Sequence, residues 1–372
     1  MIAVTSFEVA GTEFFEFRGT SSADLISGYN GQRNIIYGAE GNDILSAGKH
    51  TPQQLIFGEG GDDTLKGGLV GDELNGGSGA DDMRGGPGDD IYYVDDPNDV
   101  VFERTRWEPV GFGDTIVASL DYSLAGLAVE ALILDSIARI GTGNDLNNRV
   151  IGTGGDHTLD GGRGIDTLQG GLGDDTYILR HADDIAEEVG GNARQKTLRA
   201  EEGGHDTVLA HNSYKLMLGI EDIILQDVLG KTGNPVNNLT AIGNNLDNLV
   251  QGNATDNSLN GRTGNDTLTG GAGADDFIFS DTLGREHVDT ITDFTSGEDR
   301  IVIKAALVNL GTGAVAADAF HLGESAQTAD HRFLFDGTTL RYDTDGSGAG
   351  AAVDVAMFER NPTVIAEDFF VV

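Results

Sequence analysis

Four aspartates recur at a fixed spacing of nine residues in the stretch that runs from Gly58 to Tyr93. They are the sixth residues of four consecutive blocks, GEGGDDTLK, GGLVGDELN, GGSGADDMR and GGPGDDIYY, and are numbered Asp63, Asp72, Asp81 and Asp90. If such blocks stack, their carboxylates form rows a few ångströms apart, and like charges that close repel each other. A cation between the carboxylates removes the repulsion, and a ligand set made only of carboxylate and carbonyl oxygens suits calcium. The spacing therefore predicts rows of calcium sites.

The same blocks contain the elements that would hold these aspartates in rows. The first six residues of each block are too rich in glycine for a helix or a strand, so they predict a turn with several positive-φ positions. The last three residues predict a minimal strand whose eighth side chain is large and apolar: Leu65, Leu74, Met83 and Tyr92. One block cannot bury its single apolar residue alone, whereas stacked blocks bury a continuous ladder. The period therefore predicts a repeat architecture.

These residues resemble the RTX (repeats-in-toxin) calcium-binding nonapeptide, G-G-x-G-x-D-x-U-x, in which U is a large apolar residue. Near-copies occur in frame in three arrays, at 19–93, 143–178 and 243–278. The resemblance implies an all-β fold, a right-handed parallel β-roll or β-solenoid in which successive turns alternate between two edges. Each ion would then lie between turns that are two blocks apart.

Aligned in this way, the first array has two edges with different ligands. The sixth residues along one edge are Asp24, Asp43, Asp63 and Asp81, and those along the other edge are Asn34, Gln54, Asp72 and Asp90. We expect a full row of ion sites on the first edge. On the second edge we expect sites only near Asp72 and Asp90. The alternative is that these residues are present because short polar side chains favour turns.

The later arrays keep the apolar ladder better than they keep the acidic ligands. Their sixth residues are Asn148, His157, Asp166 and Asp175 in the second array and Asn248, Asn257, Asp266 and Asp275 in the third. Each pair of alternate turns then has one carboxylate instead of two. Because calcium affinity follows ligand charge, we expect fewer or weaker ions there. No second His or Cys accompanies His157, so we interpret it as a substituted turn residue and not as a transition-metal ligand.

The arrays divide the chain into seven stretches. We predict an N-terminal cap at 1–18, rolls at 19–93, 143–178 and 243–278, β-rich spacers at 94–142 and 179–242, and a C-terminal cap with a secretion-signal region at 279–372. Caps are expected because the bare end of a solenoid exposes its ladder and its strand edges. The two spacers share landmarks in the same order, among them Glu103 with Glu188 and Asp114 with Asp206. The chain therefore contains a larger duplication of spacer and roll.

Charge and composition restrict the classes of function. The formal net charge of −38 over 372 residues argues against nucleic acid or an anionic membrane surface as a partner. The same charge destabilises a compact chain unless cations neutralise it. Cysteine is absent, so neither a disulfide nor a thiol contributes. The first residues, MIAVTSFEVAGTEFFEF, lack the features of a secretory signal peptide, and no apolar stretch is long enough for a membrane-spanning helix.

The RTX resemblance implies an export route that uses no cleaved N-terminal leader. Proteins of this kind typically leave the cell through a type I (ABC-transporter) secretion apparatus that reads an uncleaved C-terminal signal. The last residues, AEDFFVV, are acidic and then apolar, and they are similar to such a signal. We therefore expect a secreted, extracellular protein that binds several calcium ions and folds when it binds them.

The sequence contains no catalytic motif that we recognise. An HExxH zinc-protease motif and a G-x-S-x-G nucleophile elbow are both absent, and the repeat already explains the abundant paired carboxylates. We predict a non-catalytic protein, with a possible role as a surface, matrix or adhesion component whose surface or glycan partner is unknown. Two alternatives stay open: an extracellular enzyme with an unrecognised site, and a pore-forming, toxin-like effector, although the long apolar helices of the latter are missing.

One further loop, DTDGSGAGAAVD at 343–354, also has calcium-type spacing. Asp343, Asp345 and Asp354 stand at positions 1, 3 and 12 of an EF-hand-like loop. The flanking sequences TLRY and VAMF look like strands, so the segment is not an EF-hand. It is either a calcium-binding loop or a glycine-rich hairpin turn.

Overall fold

A computed structural model describes residues 2–9, 12–48, 52–103, 113–188, 203–229, 235–284 and 287–372. The chain divides into two compact units. The first comprises Met1–Asp175 with Asp183–Ile185, and the second comprises Thr176–Ala182 with Ala186–Val372. Within the described residues, β-strand is the predominant regular structure of both units.

The strands of the first unit are short, as nine-residue blocks with long glycine turns require. They are β1 (Ala3–Val9), β2 (Thr12–Arg18), β3 (Leu25–Ser27), β4 (Arg33–Glu40), β5 (Ile44–Ser46), β6 (Leu55–Gly60), β7 (Thr64–Lys66), β8 (Glu73–Ser78), β9 (Asp82–Arg84), β10 (Ile91–Val94), β11 (Val100–Val101), β12 (Thr115–Ala118), β13 (Tyr122–Ser123), β14 (Ala131–Leu134), β15 (Ile140–Thr142), β16 (Arg149–Gly152), β17 (Thr158–Asp160) and β18 (Thr167–Gln169).

From β2 onward, consecutive strands of this unit belong to different sheets. The even-numbered strands from β2 to β18 form one parallel sheet, and the odd-numbered strands form two others, β3-β5-β7-β9-β11 and β13-β15-β17. Among the described strands of this unit, only β1 pairs in the antiparallel sense, with β2, at the end where a cap was expected. The predicted all-β parallel roll is confirmed, because each block adds one strand and the next block adds its strand to the opposite sheet.

The eighth residues of the blocks form the core of the roll. Along one sheet the register pairs Ile36 with Ile56, Ile56 with Leu74 and Leu74 with Tyr92. The ladder then continues into 94–142, since Tyr92 pairs with Ile116 of β12. Each of these side chains is fully buried. Alternation along each strand sends the neighbours of these residues outward, so a single apolar residue per block is enough to fill the interior.

The second unit uses the same arrangement and ends differently. Its strands are β19 (Thr176–Leu179), β20 (Ile185–Glu187), β21 (Thr207–Ala210), β22 (Tyr214–Lys215), β23 (Asp222–Leu225), β24 (Leu239–Ile242), β25 (Leu249–Gln251), β26 (Asn257–Asn260), β27 (Thr267–Thr269), β28 (Asp276–Phe279), β29 (Asp289–Ile291), β30 (Arg300–Ile303), β31 (Gly313–Ala314), β32 (Phe320–Leu322), β33 (Phe333–Phe335), β34 (Thr339–Tyr342), β35 (Val353–Phe358) and β36 (Phe369–Val371), with 3-10 helices at Ala317–Ala319 and Ala366–Asp368.

The parallel stacking of the second unit stops in its C-terminal part. Strand β35 pairs in parallel with β29, whereas β34 and β33 follow it in the antiparallel sense. Aromatic side chains fill this end of the unit: the rings of Phe333 and Phe369 stack with centroids 5.2 Å apart, and Phe294 meets Phe358 edge-on at 5.4 Å. Antiparallel strands and bulky rings cover the ladder here, where another nonapeptide would otherwise have to follow.

The loop at 343–354 joins β34 to β35, so its flanks are strands, as the sequence predicted. Asp343 Oδ1 accepts the backbone N–H groups of Asp345 and Gly346, at 3.1 and 2.9 Å. Asp345 Oδ2 accepts the N–H of Gly350 at 3.0 Å. These carboxylates therefore already serve to close the turn.

Within the described residues, no helix has both the length and the apolar character needed to cross a membrane.

Candidate metal centre

The predicted acidic edge of the first array is a continuous hydrogen-bonded row. The backbone N–H of Asp24 donates to Oδ1 of Asp43, that of Asp43 donates to Asp63, and that of Asp63 donates to Asp81, each at 2.7 Å. Successive members are 18 to 20 residues apart, so each bond joins alternate turns. Asp43, Asp63 and Asp81 are at most 2 % exposed. Alternate turns thus each contribute one carboxylate to this edge.

The second edge has the same hydrogen bonds with different side chains. Asn34 donates its N–H to Gln54 Oε1 at 2.9 Å, and Gln54 donates its N–H to Asp72 Oδ1 at 2.7 Å. Asp72 in turn donates its N–H to Asp90 Oδ1 at 2.7 Å. Amides therefore occupy the early part of this edge and carboxylates the later part. The structure brings Asp72 and Asp90 together, as the sequence predicted. Their role as calcium ligands stays a prediction.

A family model describing the RTX calcium-binding nonapeptide repeat (4 copies) matches residues 18–49, 57–92, 71–101, 142–178 and 242–277. The chain carries RTX calcium-binding nonapeptide repeats. The matched stretches coincide closely with the three arrays and together cover about two fifths of the chain. No curated protein matches the chain significantly.

In four of the RTX aspartates, one carboxylate oxygen accepts a hydrogen bond and the other does not. In Asp43, Asp63, Asp81 and Asp90 the Oδ1 atom accepts a backbone N–H, whereas the Oδ2 atom is buried and has no hydrogen-bond partner among the described residues. A buried carboxylate oxygen without a partner is costly, so it calls for a proton or a cation. The residues present therefore fit a hard cation.

Burial also shifts the acidity of these groups. Loss of solvent raises the pKa of Asp63 to about 6, of Asp81 to about 7 and of Asp90 to about 8. Asp24, at the exposed start of the row, behaves in the opposite way. The side-chain hydroxyl and the backbone N–H of Thr20 donate to its Oδ2, at 2.8 and 2.7 Å, and lower its pKa. Inside the rows, burial thus favours the protonated form of the carboxyl groups, and a cation beside them would favour the charged form.

The first glycine of an RTX block makes room for the aspartate of the same block. A Cβ atom built on Gly58 would lie closer than 3.0 Å to Asp63 Oδ2 and to the carbonyl oxygen of Gly76. Gly58 has no left-handed φ, whereas Gly77 and Gly79, at positions 2 and 4 of their block, have φ of 85° and 130°. The glycines thus serve two purposes: some allow left-handed backbone, as predicted, and the first one admits the carboxylate.

Both rows extend beyond the residues that the sequence singled out. Asp81 donates its N–H to Asp99 Oδ1 at 3.0 Å, and Asp90 donates its N–H to Asp114 Oδ1 at 2.8 Å. Asp114 then donates its N–H to Glu130 Oε2 at 3.2 Å. A sequence signal for Asp114 exists, because Asp114-Thr115-Ile116 repeats the Asp-Thr-apolar ending of a block, although the preceding glycines, Gly111 and Gly113, do not have the block spacing. The glycine pattern of the nonapeptide therefore does not identify Asp114 as a member of the row.

In the later arrays, asparagine occupies sixth positions where the acidic edge of the first array has aspartate. Asn148 and Asn248 give their backbone N–H groups to Oδ1 of Asp166 and Asp266, at 2.7 and 2.8 Å. Their side-chain Nδ2 atoms donate to the carbonyl oxygens of Val129 and Glu221, at 3.0 and 2.8 Å. The uncharged amide removes one charge from each pair of turns, whereas Asp266 Oδ2 is still buried without a hydrogen-bond partner among the described residues. This is consistent with the expectation of fewer or weaker ions, which remains a prediction.

The remaining predicted ligands sit at equivalent places. The backbone N–H of His157 donates to Asp175 Oδ1 at 2.7 Å, and its ring Nδ1 lies 3.2 Å from the same oxygen. Asn257 donates its N–H to Asp275 Oδ1 at 2.8 Å. His157 is fully buried, and its ring occupies the ligand position of a turn, as expected for a substituted turn residue.

Proposed function

We propose that this protein is a secreted, non-catalytic calcium-binding repeat protein that folds when it binds Ca²⁺ after type I export. The observation that carries the proposal is the set of buried Oδ2 atoms of Asp43, Asp63, Asp81 and Asp90, which have no partner among the described residues. Each lies on a turn that stacks on the next by one carboxylate–N–H bond. Calcium between the turns compensates the charge and adds several oxygen contacts per ion.

The coupling of calcium to folding follows from where the ligands come from. Every row member belongs to a different turn, so the ligand set exists only in the stacked roll. Calcium therefore binds the folded chain and not the unfolded one, and its binding free energy becomes folding free energy. The formal charge of −38 and the glycine entropy oppose folding where calcium is scarce, as in the cytosol. At the calcium concentrations outside cells, roughly 10⁻⁴–10⁻³ M in the range of extracellular modules, folding is favoured.

The C-terminal end supports an order of events in which export precedes folding. Phe369 and Val371 are buried in the folded chain, where β36 pairs with β30. A secretion signal that includes these apolar residues is accessible only in the unfolded chain. Low calcium inside the cell keeps the signal exposed, and calcium outside buries it after export.

Far-UV circular dichroism of the purified chain tests the folding mechanism. In calcium-free buffer we expect a coil spectrum, and addition of calcium in the millimolar range should produce a β spectrum, whereas magnesium at the same concentration should not. A spectrum that does not respond to calcium would refute the mechanism.

Co-expression with and without a type I exporter tests the export route. The intact chain is compared with a chain that ends at residue 365, and only the intact chain with the exporter should reach the medium.

The role of the folded protein is tested separately. If it is a surface, matrix or adhesion component, it should bind cells or a glycan array in calcium and release them on chelation. Leakage from loaded vesicles would favour the toxin-like alternative, and cleavage of polysaccharide or protein substrates would favour the enzyme.

A further inference from the structure

Three acidic side chains converge where the first array ends, one from the turn before β10 and two from the segment between β11 and β12. One carboxylate oxygen each from Asp90, Glu103 and Asp114 lies within 4.8 Å of the others. Asp90 is the sixth residue of the last block of the array. Glu103 follows strand β11 and Asp114 directly precedes strand β12. Glu103 and Asp114 are outside the residues that the nonapeptide model matches, so the repeat pattern does not account for this cluster.

Asp90 adds an observation that is independent of the clustering. Its side chain is 0 % exposed, and its Oδ1 already accepts the N–H of Asp72 at 2.7 Å. Its Oδ2 is buried and has no hydrogen-bond partner among the described residues. A buried carboxylate oxygen in such a position is costly unless a cation or a proton meets it.

Tyr92 holds the glutamate of this cluster in place. Its hydroxyl accepts the N–H of Gly85 at 2.8 Å and donates to Glu103 Oε1. The ring of Tyr92 occupies the apolar ladder, where the other blocks of the first array have isoleucine, leucine or methionine and so have no hydroxyl. The array thus ends on a residue that fills the core and also orients a carboxylate at the edge, as groups behind metal ligands commonly do.

The size of the cluster fits one ion. Calcium–oxygen distances are about 2.3–2.6 Å, so two ligand oxygens of one ion are at most about 5 Å apart. The three carboxylate oxygens lie within 4.8 Å of one another, which is compatible with ligation of a single ion. Three carboxylates and no nitrogen or sulfur ligand favour a hard cation, and the flexible coordination number of calcium tolerates ligands from separate turns better than the strict octahedron of magnesium does.

We propose that Asp90, Glu103 and Asp114 bind one calcium ion at a site that closes the first array and ties the following segment to it. Asp90 is shared with the repeat, whereas Glu103 and Asp114 are contributed by the spacer, and Tyr92 is a positioning residue. The sequence duplication supports a functional role for Glu103, since Glu188 and Asp206 stand in the second spacer where Glu103 and Asp114 stand in the first. The proposal rests on the calcium binding of the proposed function but not on export or on folding coupled to it.

The test counts calcium ions bound to the full-length chain by equilibrium dialysis, with far-UV circular dichroism to verify folding. At saturating calcium, Glu103→Gln should bind one ion fewer per chain than the unmodified protein. Glu324→Gln, the same change at an exposed position, should bind the full number. An unchanged number and affinity in Glu103→Gln overturns the site. Absence of calcium binding by the unmodified chain would instead overturn the proposed function, so the two failures are distinguishable.

Tyr92→Phe keeps the test decisive if Glu103→Gln does not fold. It preserves the ladder and all three carboxylates and removes only the hydroxyl. The affinity of one ion should fall by about 10–100-fold, the usual effect of losing a partner behind a metal ligand, with the number of ions unchanged. If Glu103 merely shared a proton within the cluster, Tyr92→Phe would lower stability equally with and without calcium and leave every affinity unchanged, which overturns the proposal.

Discussion

The backbone N–H of Asp63 donates to Oδ1 of Asp81 at 2.7 Å, across 18 residues of sequence. This bond joins two alternate turns and orients the carboxylate of the second, so that Oδ2 is left buried and without a partner among the described residues. The same relationship recurs from Asp24 to Asp81 along one edge. The hydrogen bonds that stack the turns therefore also orient the carboxylates of the acidic row.

Removing the charge of one row member should have opposite effects with and without calcium. Asp81→Asn keeps an Oδ1 acceptor for the N–H of Asp63 but removes the buried charge. In calcium-free buffer we expect the chain to be more stable by roughly 1 kcal/mol, because a costly anion has gone. In saturating calcium we expect it to be less stable than the unmodified chain, because the ion loses a charged ligand.

Urea unfolding followed by circular dichroism measures both effects of Asp81→Asn. Asp318→Asn, at an exposed position, is the matched control and should shift neither curve. Loss of stability by Asp81→Asn in both buffers would contradict the role of the charge and leave only a packing role for the aspartate.

A methyl group on the first glycine of a block should disrupt the acidic turn. In Gly58→Ala the new Cβ would lie closer than 3.0 Å to Asp63 Oδ2 and to the carbonyl oxygen of Gly76. We expect a loss of roughly 1–3 kcal/mol, typical of overpacking, together with weaker calcium binding. Gly311→Ala is the control, because nothing lies within 4 Å of its Cβ position and its φ is not left-handed. Equal stability of the two variants in thermal unfolding would contradict this account of the glycine.

Stability without calcium should decrease as the pH rises. Burial raises the pKa of Asp63 to about 6, of Asp81 to about 7 and of Asp90 to about 8, all above the value of about 4 in the unfolded chain. Between these values the folded chain binds more protons than the unfolded one. The stabilisation is therefore complete below about pH 4 and is lost as the pH passes through about 6 to 8.

Unfolding midpoints in calcium-free buffer at about pH 5 and about pH 8 test this dependence. We expect the higher midpoint at the lower pH. In saturating calcium the order should reverse, because protons compete with calcium for the same oxygens. A midpoint that rises with pH in the absence of calcium would show that the rows are not charged and buried in the way described.

Restoring a second carboxylate should strengthen a weak site in the second array. His157→Asp places an acid beside Asp175, whose Oδ1 already accepts the backbone N–H of residue 157 at 2.7 Å. Because calcium affinity follows ligand charge, we expect tighter calcium binding and a less stable calcium-free chain. His157→Asn, which imitates Asn148, is the control and should not raise the affinity. Isothermal titration calorimetry compares the variants, and equal affinities would contradict the assignment of this edge.

The ladder and the edges were predictable because both depend only on a local period. A spacing of nine puts residues such as Leu65 and Asp63 at the same place in every block, and stacking follows from the inability of one block to bury its apolar residue. The spacer residues were harder to place. Asp114 and Glu130 continue the row without the glycine spacing that marks a block, because a strand can join the stack whenever its apolar pattern fits, whatever turn precedes it.

The sequence alone determined the repeat and its apolar ladder, since one block cannot bury its single apolar side chain alone. The parallel roll and its two acidic edges followed from the resemblance to the RTX nonapeptide. Only the tertiary structure decided which oxygen of each aspartate is engaged, why the first glycine of a block tolerates no methyl group, and that Glu103 meets Asp90 and Asp114. These facts depend on distances between residues up to 24 positions apart, which are set when the turns stack and are not encoded within any single block.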